Sequence, residues 1–83
     1  MRAMKIRILA FGIARDILKG STLDLHLEEG DTLSEVRARL YRSFPELEKL
    51  SSLRFAVNSA YAEDDQPLRA RDEVVLIPPV SGG

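Results

Sequence analysis

Along the chain, apolar and polar residues first alternate and then change period. From Met4 to Phe11, residues Met4, Ile6, Ile8 and Ala10 fall on one face and Lys5 and Arg7 on the other, the two-residue period of a half-buried strand. Leu9 and Phe11 turn the second face apolar near its end, which predicts a central strand partly covered on both sides. Gly12 interrupts the run. Ile13, Ala14, Ile17 and Leu18 then recur at helical spacing before Gly20, predicting a short helix or helical turn with Gly20 as its C-cap. Thr22–Glu28 alternates again, with Leu23, Leu25 and Leu27 inward and Asp24, His26 and Glu28 outward, and ends at Glu29-Gly30-Asp31. The first two strands are therefore expected to pair antiparallel, through a connection longer than a tight hairpin.

Thr32-Leu33-Ser34-Glu35 has the form of a capping box, in which the Thr hydroxyl accepts from the Glu35 amide and the Glu carboxylate reaches back. The main helix is predicted to start there, with Leu33, Val36, Leu40 and Phe44 as its apolar stripe and Pro45 ending it. Pro45–Ser52 is expected to be a connection with room for another helical turn. Arg54–Asn58 suits a pleated strand, Asn58-Ser59 a bend, Ala60-Tyr61-Ala62 a fourth short strand, and Glu63–Pro67 an acidic loop. Glu73–Ile77 is apolar with little alternation, as in a strand covered on both faces. Pro78-Pro79 stops it, because proline offers no ladder donor and fixes φ.

Eighty-three residues make one domain with a limited core. Without cysteine the chain has no disulfide framework, thiolate metal site, iron–sulfur cluster or cysteine nucleophile. Twelve Lys plus Arg stand against 13 Asp plus Glu with the signs interspersed, so no basic field favours nucleic acid or an anionic membrane. A protein partner is expected. No apolar stretch has the length of a signal-peptide core or a membrane span, and cytoplasmic residence follows as the expectation. His26, the single histidine, has no second His or Cys with which to bind a metal and reads as a solvated strand residue. The acidic loop lacks the glycine and closing glutamate of a calcium loop, so no metal site is expected. Arg37, Arg39 and Arg42 read as a solvated helix face rather than a phosphate site. The Gly82-Gly83 ending is open to two readings, a frayed terminus or a reactive C-terminal carboxylate.

The order of strand, strand, helix and several short strands resembles a ubiquitin-like β-grasp, an α+β fold with a mixed sheet of about four to five strands and one main helix packed across it. Asp72-Glu73-Val74-Val75-Leu76-Ile77-Pro78-Pro79-Val80-Ser81-Gly82-Gly83 resembles the "DEVxxxPPVSGG" close of the molybdopterin synthase small subunits, which are sulfur carriers. Phe11-Gly12-Ile13-Ala14-Arg15-Asp16 is similar to that family's "FAxxRE", and Ala56-Val57-Asn58 to its "AVN" strand. Gly12 replaces the usual alanine. Arg71 stands where the turn before the last strand usually has glycine.

The resemblance implies a β-grasp body over residues 1–77 and an extended, flexible tail over 78–83. It implies that the Gly83 carboxylate is adenylated with ATP by a ubiquitin-activating-like adenylyltransferase and converted by a persulfide donor to a thiocarboxylate. That sulfur would then pass to a cyclic pterin precursor (precursor Z) in the large subunit of a heterotetrameric synthase that builds the molybdenum or tungsten cofactor. The chain itself would bind no cofactor and catalyse nothing alone; no convergent acid–base pair, activated nucleophile or phosphate loop is visible. Gly82, Ser81, Val80 and Pro79 would thread into partners, the glycines because they lack Cβ, while Tyr61, Ile77 and Arg15 are the positions expected to touch a partner. The alternatives are a carrier for thiamine synthesis or tRNA thiolation, or a modifier that forms isopeptides through Gly83.

Overall fold

A computed structural model describes residues 3–50 and 52–78. Its elements run β1 (Ala3–Ala10), α1 (Gly12–Leu18), β2 (Thr22–Glu28), α2 (Leu33–Ser43), a 3₁₀ segment (Pro45–Lys49), β3 (Arg54–Val57), β4 (Ala60–Tyr61) and β5 (Glu73–Ile77). The sheet order is β2-β1-β5-β3-β4. β1 is antiparallel to β2 and parallel to β5, while β3 is antiparallel to both β5 and β4. This is the expected mixed α+β sheet. Its last strand lies in the middle, so the chain leaves from the centre of the sheet and not from an edge.

Register decides which side chains share a face. Ile8 is level with Leu23 and Val74, and Ala10 with Leu76, which is level with Phe55. These residues pack with Leu33, Val36 and Leu40 of α2, Leu47 of the 3₁₀ segment and Ala14 of α1. Ile6, Ile8, Val74 and Leu76 are completely buried. The alternation of β1 and the stripe of α2 thus form one core.

Coverage of both sheet faces is not found. Val74 and Leu76 are buried, but Glu73, Val75 and Ile77 are only half-buried; on β1, Leu9 is half-buried and Phe11, just past the strand, is exposed. α1, α2 and the 3₁₀ segment all add their buried residues to the one core. The opposite face has no covering element among the described residues, although apolar side chains reach it. The apolar run Val74–Ile77 of β5 therefore marks one core face and one open face that is apolar at Val75 and Ile77.

The helix caps also differ from expectation. Thr32 is the N-cap of α2, but its hydroxyl makes no capping bond. The Glu35 carboxylate instead accepts from Arg39 Nε at 2.9 Å. The unpaired amides of the first turn are met by the acidic loop: Leu33 N–H donates to Gln66 C=O and Ser34 N–H to Asp64 C=O, both at 2.9 Å. Carbonyls from a distant segment thus do the work of a local cap, and the Asp64 carboxylate pairs with Arg37. At the end of α1 the left-handed residue is Lys19 (φ 61), not Gly20; Lys19 and Gly20 N–H both donate to Arg15 C=O. Nor is the arginine face of α2 merely solvated, since Arg39 also donates to the His26 carbonyl on the β2 edge at 2.7 Å and the Arg37 guanidinium lies 5.5 Å from the Phe55 ring centre.

Asn58 and Ser59 both have positive φ, 50 and 75, as the loop of a two-residue hairpin requires. Asn58 also ties this hairpin to β5: its Nδ2 donates to Asp72 Oδ1 at 2.9 Å and its Oδ1 accepts from Glu73 N–H at 3.0 Å. Asn58→Ala removes both bonds and a residue suited to left-handed backbone. Urea unfolding is expected to register a loss of about 1–2 kcal/mol; a loss below about 0.3 kcal/mol would show that the hairpin does not depend on this side chain.

Candidate functional site

The candidate site is the end of the sheet where β1 and β5 finish side by side, together with the open face beside it. Because these strands are parallel, Gly12 after β1 and Pro78 after β5 come together: a β-carbon at position 12 would stand 3.4 Å from Pro78 Cγ. Gly12 has φ +57, backbone that glycine adopts without strain. The half-buried Pro78 is thus held against the start of α1. Pro79, Val80, Ser81, Gly82 and Gly83 lie outside the described residues.

On the open face, Leu9 is level with Val75, Val75 with Ala56, and Ala56 with Tyr61. They form an apolar row across four strands, about 14 Å long at the ~4.8 Å strand spacing, in which Leu9 and Val75 are half-buried, Ala56 is buried and Tyr61 is exposed. Ile77 is level with Arg54 in the next row toward the exit of the chain, and the Arg54 guanidinium stacks 4.8 Å from the centre of the Tyr61 ring. The large apolar residues most exposed are Tyr61 at 66 %, Phe11 at 56 % and Ile13 at 50 %. Phe11 and Ile13 flank Gly12, so they too belong to the exit end. A row of this kind, with exposed aromatic side chains and an arginine at its rim, has the composition of a protein-binding surface.

Tyr61 and Ile77, both expected from the sequence, thus fall on one face beside the exit. Arg15 does not join them; it is exposed on α1 and forms no ion pair among the described residues. Leu9, Val75, Phe11 and Ile13 were not foreseen as surface residues of the site. Their signal was present, since an apolar residue at the outward position of an alternating strand is either covered or offered to a partner, but pattern alone does not separate the two. Among the described residues, no group of His, Asp or Glu is arranged to hold a metal, and no helix is long and apolar enough to cross a membrane.

The profile of the ThiS family matches residues 8–83, which takes in both β1's exit and the Gly-Gly ending. The chain belongs to the ThiS family. It is 34 % identical to the molybdopterin synthase sulfur carrier subunit of Arabidopsis thaliana over 82 residues, covering 98 % of this chain and 85 % of the relative. It is 30 % identical over 83 residues to the protein of the same name from Chlamydomonas reinhardtii, covering 96 % of this chain and all of the relative. Among solved structures, SAMP1 of Haloferax volcanii has the same fold, with a TM-score of 0.84 and 22 % identity over 95 % of this chain and 99 % of that one. A chain of the complex of subunits 1 and 2 of the molybdopterin-converting factor from Helicobacter pylori superposes with a TM-score of 0.67 and 27 % identity, over 96 % of this chain and all of that one. In this ThiS-family chain the β-grasp carries two features side by side, an open apolar row and the proline at which β5 gives way to the last residues.

Proposed function

We propose that this protein is the sulfur carrier subunit of molybdopterin synthase and that the Gly83 carboxylate is the group that carries the sulfur. One observation of the structure bears most of the weight: the chain runs out of the central strand beside an uncovered apolar row, so a partner docked on that row lies next to the departing tail. Membership of the ThiS family and the names of the curated relatives support the same reading.

The chemistry follows from the carboxylate. At neutral pH it is an anion and a poor electrophile. Attack of its oxygen on the α-phosphate of ATP, with loss of pyrophosphate, forms an acyl adenylate in a separate activating enzyme. A persulfide sulfur then displaces AMP, and attack of a second thiol on the outer sulfur of the resulting acyl disulfide releases the C-terminal thiocarboxylate, the thiol being oxidised to a disulfide with the donor. In the large subunit this sulfur is transferred to the cyclic pterin precursor, and hydrolysis returns the carboxylate. In this reading the chain contributes its own end to the reaction, and no other residue is assigned the role of acid, base or nucleophile. It serves as a handle by which two partners aim Gly83, and the lack of a β-carbon at positions 82 and 83 suits passage through a narrow channel.

The test uses the full chain with ATP, the activating enzyme of its host and a persulfide donor. Intact mass is expected to show one oxygen replaced by sulfur, and adding the large subunit with the pterin precursor is expected to yield the dithiolene product. Thiocarboxylate that converts no precursor would reassign the chain to another sulfur acceptor. Branched lysine peptides in place of thiocarboxylate would make it a protein modifier.

A further inference from the structure

On the open face, beside the apolar row and away from the exit of the chain, Lys5, Arg7, Asp24, Arg71 and Glu73 line an open hollow of about 220 Å³. Arg7 is level with Asp24 on β2 and with Glu73 on β5, one row from Leu9 and Val75. The hollow is therefore continuous with the proposed docking row. It holds three cations and two carboxylates, in a chain whose acidic residues outnumber its basic ones by 13 to 12.

The fold accounts for only part of this charge. Lys5 Nζ faces Asp24 at 4.0 Å. Neither Arg7 nor Arg71 forms a side-chain ion pair or hydrogen bond among the described residues. Arg71 also sits in costly backbone. The turn Arg69–Asp72 is closed by Asp72 N–H donating to Arg69 C=O at 3.1 Å, and Arg71, at its third position, has φ 74, where glycine is the usual residue. Asp72 Oδ2 braces the turn by accepting from Arg69 N–H at 2.8 Å, and Arg71 N–H donates to Lys5 C=O at 3.3 Å. These bonds need only the Arg71 backbone. A long cationic side chain is thus carried in a strained conformation with no partner for its guanidinium among the described residues.

We propose that Arg7 and Arg71 form an electrostatic rim to the docking row that receives carboxylate side chains of the partner protein. This rests on the carrier reading above. A protein carboxylate fits better than a phosphate polymer, because Asp24 and Glu73 are interleaved with the cations and would repel a continuous line of phosphates. Charges at the rim of an apolar contact act chiefly on the rate of encounter and on its salt dependence.

The test compares the full chain with Arg71→Gly and with the double variant Arg7→Glu/Arg71→Glu, each binding the large synthase subunit and the activating enzyme of the host at low and at high NaCl. At low salt, kon to at least one partner is expected to fall about 3-fold for Arg71→Gly and about 10-fold or more for the charge reversal. The differences should shrink toward none at high salt. Arg71→Gly is expected not to lower the Tm, which keeps the comparison free of misfolding. Wild-type kon for both variants with both partners at low salt overturns the proposal and leaves the carrier reading standing. If the unmodified chain binds neither partner, the carrier reading falls and the rim with it. Tight binding of inorganic polyphosphate, lost in the double variant while both partners still bind normally, would assign the hollow to phosphate and overturn the protein-carboxylate reading.

Discussion

Deleting Gly83 is expected to abolish sulfur transfer while leaving the fold at wild-type stability. The two halves of this result have separate causes. The described core is built from residues between Met4 and Leu76, so the unfolding free energy from urea titration should stay within about 0.5 kcal/mol of wild type, as for substitutions away from packed or bonded positions. The carboxylate, by contrast, would withdraw by one residue, up to about 3.5 Å of extended chain. Misplacement of a reacting group by about 1 Å can cost 10²-fold, so the loss in single-turnover conversion of the pterin precursor should be at least about 100-fold. Gly83→Ala keeps the length and adds a β-carbon; it is expected to fall between deletion and wild type. Ordinary turnover with the shortened chain would mean that the sulfur is not carried on Gly83.

Tyr61→Ala is expected to weaken binding of the large subunit about 30-fold, with Val75→Asp having an effect at least as large. Tyr61 ends the apolar row, is two-thirds exposed and is stacked by Arg54. Tyrosine and arginine are enriched among the few residues that dominate an interface, where truncation typically costs about 2 kcal/mol or more, a factor of about 30 in Kd. The fold itself should lose little with Tyr61, because an exposed cation–π pair contributes only about 0.5–1 kcal/mol. Val75→Asp places a charge in the middle of the row, on the face opposite the core, where a docked partner would have to desolvate it. Glu48→Ala, an exposed position on the 3₁₀ segment, serves as the control and should bind as wild type. Titration calorimetry with the large subunit decides the matter: wild-type Kd for both Tyr61→Ala and Val75→Asp, with circular dichroism unchanged, would move the interface off this face.

Much of the fold was legible because each long element carries its period openly. Met4, Ile6, Ile8 and Ala10 alternate as β1 requires, and Leu33, Val36 and Leu40 recur as α2 requires; all seven are buried in one core. Local caps were less legible. Thr32 and Glu35 have the spacing of a capping box, yet carbonyls of Asp64 and Gln66 meet the α2 amides instead, since a segment brought close by folding can supply acceptors that no local pattern encodes. Gly20 was a reasonable C-cap by composition, but the left-handed position falls one residue earlier, on Lys19. The same limit applied to β5: the run Val74-Val75-Leu76-Ile77 shows that both faces are apolar, but whether a face is covered depends on where the helices pack.

Sequence alone was sufficient for the β-grasp order of elements, the composition of the core and the family signature that closes on Gly82-Gly83, because these rest on period, residue type and spacing along the chain. Only the tertiary structure set β5 in the centre of the sheet, laid Pro78 against Gly12, left the row Leu9–Val75–Ala56–Tyr61 without a covering element among the described residues and joined Lys5, Arg7 and Arg71 in one hollow. Those are relations between residues far apart in the chain. They are decided by strand register and by which face the helices bury, and neither is written in any one segment.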